Sequence, residues 1–157
     1  MAKVLVIYFS KTGNTKKMAE LVSEGVKNEG LEVALLSVDQ TTPEDLLNAD
    51  GVIVGSPTYF GTMAAPVKEL LDKSVKYFGK MNGKVGAAFS TSGILGGGNE
   101  TTVLDILKAF LIHGMIIQGE TAGGHYGPVA IGAPDDTCRQ ECLALGKRVA
   151  ALVKKLL

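Results

Sequence analysis

The stretch "VLVIYFSKTGNT", Val4 to Thr15, decides the fold. Val4 to Phe9 is an unbroken apolar run, as expected of a strand buried on both faces. The chain then turns polar at Ser10, and Met18, Leu21, Val22 and Val26 follow at helix spacing. That helix starts near Thr15, where free N–H groups and the helix dipole favour an anion. Ser10, Thr12, Asn14 and Thr15 add side-chain donors, and Gly13 lets the backbone wrap closely. One helix cap needs one such residue, so this density of donors points to a phosphate. Lys11 either adds charge beside the anion or is a solvated loop lysine.

Working outward, apolar runs alternate with helical patterns to the end of the chain. Leu31, Val33 and Leu35 alternate with polar or small residues, which predicts a more exposed second strand. "TTPEDLL" offers Thr42 as N-cap, Pro43 at the first helical position and Asp45 in the first turn. "GVIVGS" (51–56) is a third strand. Pro66 starts a helix with Val67, Leu70, Leu71 and Val75 on one face. "VGAAFS" (85–90) is a fourth strand. Val103, Leu104, Leu107, Phe110 and Leu111 make a helix that ends at His113-Gly114. "MIIQ" (115–118) is the expected fifth strand. A last helix runs from about Asp136, with Leu145, Val149, Leu152 and Leu156 inward. Strict alternation implies an α/β domain over 1–157, a doubly wound five-stranded parallel sheet with helices on both faces. Five strands fit the order 2-1-3-4-5, whose second strand lies at an edge.

Composition agrees with a soluble, cytoplasmic domain. The chain has 157 residues, 46% hydrophobic and 20% charged. Its 16 basic and 16 acidic residues give a formal net charge of zero, so nothing draws it to nucleic acid or an anionic membrane. The opening apolar run is too short for a signal core or a membrane span. Cys138 and Cys142 share a helix face with Leu145 and Val149 and read as small buried hydrophobes. No His or further Cys accompanies them, so no metal site is expected.

Ligands of a doubly wound sheet sit beyond the carboxyl ends of the strands, near the switch between strands one and three. Three loops converge there: "SKTGNT", "SPTYFGTM" (56–63) and "STSGILGGGNETT" (90–102). In the second, Pro57, Thr58, Tyr59 and Phe60, followed by Gly61, offer a flat apolar wall to a planar ligand. Phe60 reads alternatively as a hydrophobic plug over the core. The third supplies Thr91, Ser92 and Gly93, then Gly96, Gly97 and Gly98, whose N–H groups can bond a ring edge. An anion site with two such walls describes a mononucleotide with a planar ring. The ATP-binding pattern G-x-x-x-x-G-K-[ST] is absent, and so is G-x-G-x-x-G after the first strand. The acidic residues of a phospho-accepting signalling receiver are absent too.

At these residues the chain resembles the flavodoxin superfamily, whose FMN-phosphate signature S-x-T-G-N-T is complete here. "GSPTYFGTMAAPVK", "GGGNETT" and "HGM" resemble, more narrowly, the NAD(P)H:quinone oxidoreductases of the tryptophan-repressor-binding-protein type. The resemblance covers nearly the whole chain and implies a flavodoxin-like fold and FMN as cofactor. It places Ser10 to Thr15 at the phosphate, Thr58 to Phe60 beside the flavin with Gly61 near its N5 edge, and Thr91 to Gly98 at the pyrimidine side. It also brings His113 to the flavin. Without it, His113 reads as a helix C-terminal histidine bonding a free carbonyl. His125 and Tyr126, in the long stretch 119–135, would approach the flavin, sometimes from a neighbouring subunit, and are candidates to orient a quinone oxygen. The implied partners are NAD(P)H, quinones, redox proteins, and further copies in a dimer or tetramer. Two departures stand out: Asn99 replaces the usual Gln, and the connections around 38–50 and 73–84 are short. The implied activity is NAD(P)H-dependent quinone reduction. The alternative is an electron carrier, against which stand the zero net charge and the absence of Trp, and for which stand the short connections.

Overall fold

The computed structural model describes all of residues 1–157. Five strands pair side by side: β1 (Lys3–Tyr8), β2 (Glu32–Ser37), β3 (Gly51–Tyr59), β5 (Val85–Ser92) and β6 (Val129–Ile131), in the spatial order β2-β1-β3-β5-β6, all parallel. A two-residue strand, β4 (Thr62–Met63), folds back antiparallel on the end of β3. With β4 set aside as a hairpin arm, this is the expected order, with β2 at one edge. β1 lies between its neighbours in register, Ile7 facing Leu36 on one side and Val54 on the other.

Alternate residues of each central strand enter different cores, which explains their unbroken apolar runs. Leu5, Ile7, Val52 and Val54 pack beneath α2 (Pro43–Asn48), α3 (Ala65–Lys73) and α4 (Asn99–Ile112). Val4, Val6, Ile53 and Phe89 pack beneath α1 (Asn14–Asn28) and α5 (Asp136–Leu156). Each such side chain contributes about 1.5–3 kcal/mol by leaving water. Thr42 caps α2 as its sequence predicts, with its N–H and hydroxyl both donating to Asp45 at 2.8 and 2.9 Å. α1 and α5 cross at Gly25 and Gly146, where a Cβ at Gly146 would lie 2.0 Å from the Val22 carbonyl oxygen. Cys138 and Cys142 are buried in the α5 face, as expected.

The far edge corrects the sequence reading. Residues 115–118 do not form a strand; Ile116 makes one isolated bridge to Val85. The chain then leaves the sheet and returns at β6, beside Ser90 to Ser92. The edge strand is thus broken in two by the excursion between them. Four helix residues expected inward also face out: Val75, Leu104, Leu111 and Leu156 are exposed, while Val153 fills the core in place of Leu156. No helix is long and apolar enough to cross a membrane.

Candidate functional site

The site forms where β1, β3 and β5 end. Phe9 makes the last backbone bond of β1, donating to Gly55 O at 3.2 Å, and the chain then lifts away. The Ser10 hydroxyl accepts the Gly13 N–H at 3.1 Å, closing the loop. Gly13 caps α1 at φ 96°, a left-handed conformation that favours glycine. No side chain caps this helix, no acidic residue lies in its first turn, and its first bond runs from Lys17 N–H to Gly13 O. The N–H groups of Asn14, Thr15 and Lys16 therefore have no partner within the chain, and no carboxylate lines the cavity that Asn14 and Thr15 border. This donor set fits a phosphate dianion.

The second loop is a tight hairpin. β3 turns through Phe60 (φ 50°) and Gly61 (φ 79°) into β4, the two-residue geometry that needs positive φ at both positions. Phe60 is the one non-glycine residue with positive φ and is fully exposed, so it is no plug over the core. Tyr59 meets Phe9 edge-on at 6.4 Å between ring centres, and Lys11 Nζ stands 5.9 Å over the Tyr59 ring. The hairpin is tied to α4: Thr62 donates to Asp105 at 2.6 Å and Thr101 donates to Gly61 O at 2.7 Å. Lys108, then Thr62, hold the Asp105 carboxyl below its usual range.

The third loop closes the mouth. Thr91 Oγ1 lies 3.0 Å from Thr15 Oγ1, joining it to the phosphate loop. Asn99 donates to the Ser92 hydroxyl at 3.0 Å, which donates in turn to Ile94 O. Gly98 passes so close to the hairpin that a Cβ would lie 2.8 Å from Gly61 Cα. A cavity of about 190 Å³ opens among the loops, walled by Ser10 to Thr12 with Asn14 and Thr15, by Pro57 to Tyr59, and by Thr91 to Gly93. Gly96 and Gly98 line a second cavity of about 590 Å³, beside β6. Behind Thr58 stand two buried hydroxyls that the sequence reading passed over, Ser90 and Thr102, at 3.1 and 3.0 Å from its Oγ1.

Three expected residues lie elsewhere in the chain. α4 carries His113 about 21 Å from the mouth, at 1.5 Å per residue over its 14 residues, to the amino end of the sheet. There His113 Nε2 lies 2.8 Å from Ser74 Oγ, whose proton goes to Leu71 O. It does not reach the mouth of its own chain. His125 and Tyr126 sit exposed on the excursion at the sheet edge, His125 Nδ1 bonding Glu120 O at 2.8 Å, and neither lines the cavity. That segment is fastened by the Glu120–Arg148 ion pair at 2.7 Å. Burial pushes the His113 imidazole down, so the unfolded chain binds its proton more readily. His113 therefore lowers stability as pH falls below its ordinary value of about 6.5. Melting temperature should drop from pH 8 to pH 5, and His113→Gln should flatten that slope; an unchanged slope assigns it to other groups.

A family model described as NADPH-dependent FMN reductase matches residues 2–126. A protein of Aquifex aeolicus named flavodoxin is 45% identical, over 98% of this chain and 88% of its own length. An NAD(P)H dehydrogenase (quinone) of Archaeoglobus fulgidus is 35% identical, over 99% of this chain and 100% of its own. The crystal structure of a flavodoxin, WrbA-like protein from Agrobacterium tumefaciens superposes with a TM-score of 0.84 at 27% identity, over 100% of both chains.

Proposed function

From the premise that the chain belongs to the family of NADPH-dependent FMN reductases, we propose that it passes electrons from NAD(P)H to a quinone-type acceptor. FMN is its cofactor, and supplies two-electron redox chemistry when bound. The observation that carries the reading is the meeting of an uncapped helix N-terminus with two ring-sized walls at the sheet's switch point. The N–H groups of Asn14 to Lys16, with Ser10, Thr12 and Thr15, hold the phosphate. Tyr59 flanks the ring on one side with Thr58 at the ring edge, and Thr91 to Gly93 meet the ring on the other. Phe60, Ile94 and Leu95 stand exposed on the two lips, an apolar rim suited to a flat, uncharged acceptor. No acid–base pair is required of the protein, because the cofactor carries the chemistry and the chain positions it.

A second reading is an electron carrier. The 45% identity to a protein named flavodoxin favours it, because that alignment spans 162 positions and so needs few insertions. Mixing the FMN-loaded protein with NADH or NADPH and benzoquinone separates the two. Sustained oxidation of the nicotinamide is expected. A loaded protein that oxidises neither nicotinamide, yet accepts electrons from a reductase protein, establishes the carrier.

A further inference from the structure

Thr58 is the one hydroxyl of the hairpin wall that both lines the cavity and is backed by other hydroxyls. Thr102 and Ser90, both fully buried, stand behind it. Each has a second acceptor of its own: Gly98 O at 2.9 Å from Thr102 Oγ1, and Thr91 O at 3.3 Å from Ser90 Oγ. Each of these oxygens carries one proton, and among the possible arrangements two present opposite faces of Thr58 to the cavity. In one, Thr102 and Ser90 both donate to Thr58, filling its lone pairs, so the Thr58 proton points into the cavity. In the other, Ser90 turns to Thr91 O and Thr58 donates to Ser90. A lone pair of Thr58 then faces the cavity instead. Only O–H bonds rotate; no heavy atom moves and no proton changes owner. Both arrangements keep every buried hydroxyl bonded, which is what a buried polar network requires.

A flavin ring edge makes opposite demands in its two states. Its N5 accepts a hydrogen bond when oxidised and carries an N–H after two-electron reduction. We infer that the Thr102–Thr58–Ser90 hydroxyl chain is a reversible hydrogen-bond switch, through which Thr58 donates to the ring edge in one redox state and accepts from it in the other. Thr102 and Ser90 are positioning residues in this arrangement, acting through Thr58. The inference rests on FMN occupying the cavity, but not on the identity of the electron acceptor.

The chain has a signature that a fixed contact lacks. Ser90→Ala alone leaves the Thr58 proton a way back, onto Thr102 with Thr102 turned to Gly98 O. Thr102→Val alone leaves it Ser90. The double variant leaves the Thr58 proton no protein acceptor, so turning it away from the ring to accept a hydrogen bond costs an unmade bond. Oxidised FMN affinity is read by fluorescence titration, and the two-electron midpoint potential by equilibration with a reference dye. The single variants should change the ratio of oxidised to reduced affinity less than about threefold. The double variant should bind oxidised FMN within about twofold of wild type and reduced FMN about tenfold more weakly, which lowers the potential by about 30 mV. Additive effects of the two single variants, or an unchanged ratio in the double variant, overturn the switch. Thr58→Val, isosteric and at the surface of the cavity, provides a test should the double variant not fold. It should weaken both redox states by a similar factor; loss confined to one state also overturns the switch. A wild-type protein that takes up no FMN overturns the functional reading and this inference together. Absence of quinone turnover in a yellow protein removes only the proposed acceptor.

Discussion

Thr12→Val with Thr15→Val weakens FMN binding at least a hundredfold. Each hydroxyl offers a hydrogen bond to a charged group, worth about 1.5–3 kcal/mol. Two together give about 3–6 kcal/mol, and every 1.4 kcal/mol is about tenfold in Kd. The unpaired N–H groups of Asn14, Thr15 and Lys16 remain in the variant, so binding is weakened rather than abolished in kind. Valine matches threonine in shape, and the fold should survive. Thr15 is buried and loses its contact with Thr91, so a modest fall in melting temperature accompanies the change. Fluorescence titration of free FMN reads the affinity directly. Equal affinity in variant and wild type would show that the phosphate lies elsewhere.

The largest effect on stability comes from the crossing of α1 and α5. In Gly146→Ala the new methyl would sit 2.0 Å from Val22 O and 3.0 Å from Gly25 Cα, backbone atoms held by a helix. Neither can turn aside as a flexible side chain does, so the two helices must separate. Overpacking of this kind costs about 3 kcal/mol or more, against a total of about 5–15 kcal/mol for a domain. Melting temperature should fall by about 6–12 °C, read by circular dichroism. Gly132→Ala is the control for helix-independent change: its Cβ would meet nothing within 4 Å, but its φ of 70° keeps some backbone strain. A Gly146→Ala protein as stable as wild type would mean that the helices do not pack so closely.

The central strands were legible because burial on both faces leaves an unmistakable signal. Val4 to Phe9, Val52 to Val54 and Val85 to Phe89 are apolar without alternation, and each is a strand. The phosphate loop was legible for a related reason: its donors lie within six consecutive positions and need no folding to be seen together. Helix faces were read less well. Val75, Leu104 and Leu111 have the spacing of core residues but stand exposed, and spacing alone does not tell a core face from an apolar surface. β6 was missed because three residues behind a glycine-rich stretch carry no periodicity, while "MIIQ" carries a strong one that the edge uses at a single bridge. β4 left a fainter sign, a glycine following an aromatic residue between alternating positions. The Thr102–Thr58–Ser90 chain joins residues 44 and 32 positions apart, so no local pattern reveals it. Its one trace is Ser90, a hydroxyl inside a fully buried strand, where an unpartnered polar group would be costly. His113 carried a family resemblance that one chain cannot satisfy, since the length of α4 holds it at the other end of the sheet.

The interrupted border beside β5 also bears on how copies of the protein behave at high concentration. A parallel sheet invites extension wherever an outer strand offers a straight row of free amides and carbonyls. Here that row is three residues long at Val129–Ile131, and below it the segment pinned by Glu120 and Arg148 bulges outward. At this border a second molecule would find no continuous template to add to, so the break guards this edge, whereas the opposite edge, β2, keeps an unbroken six-residue row.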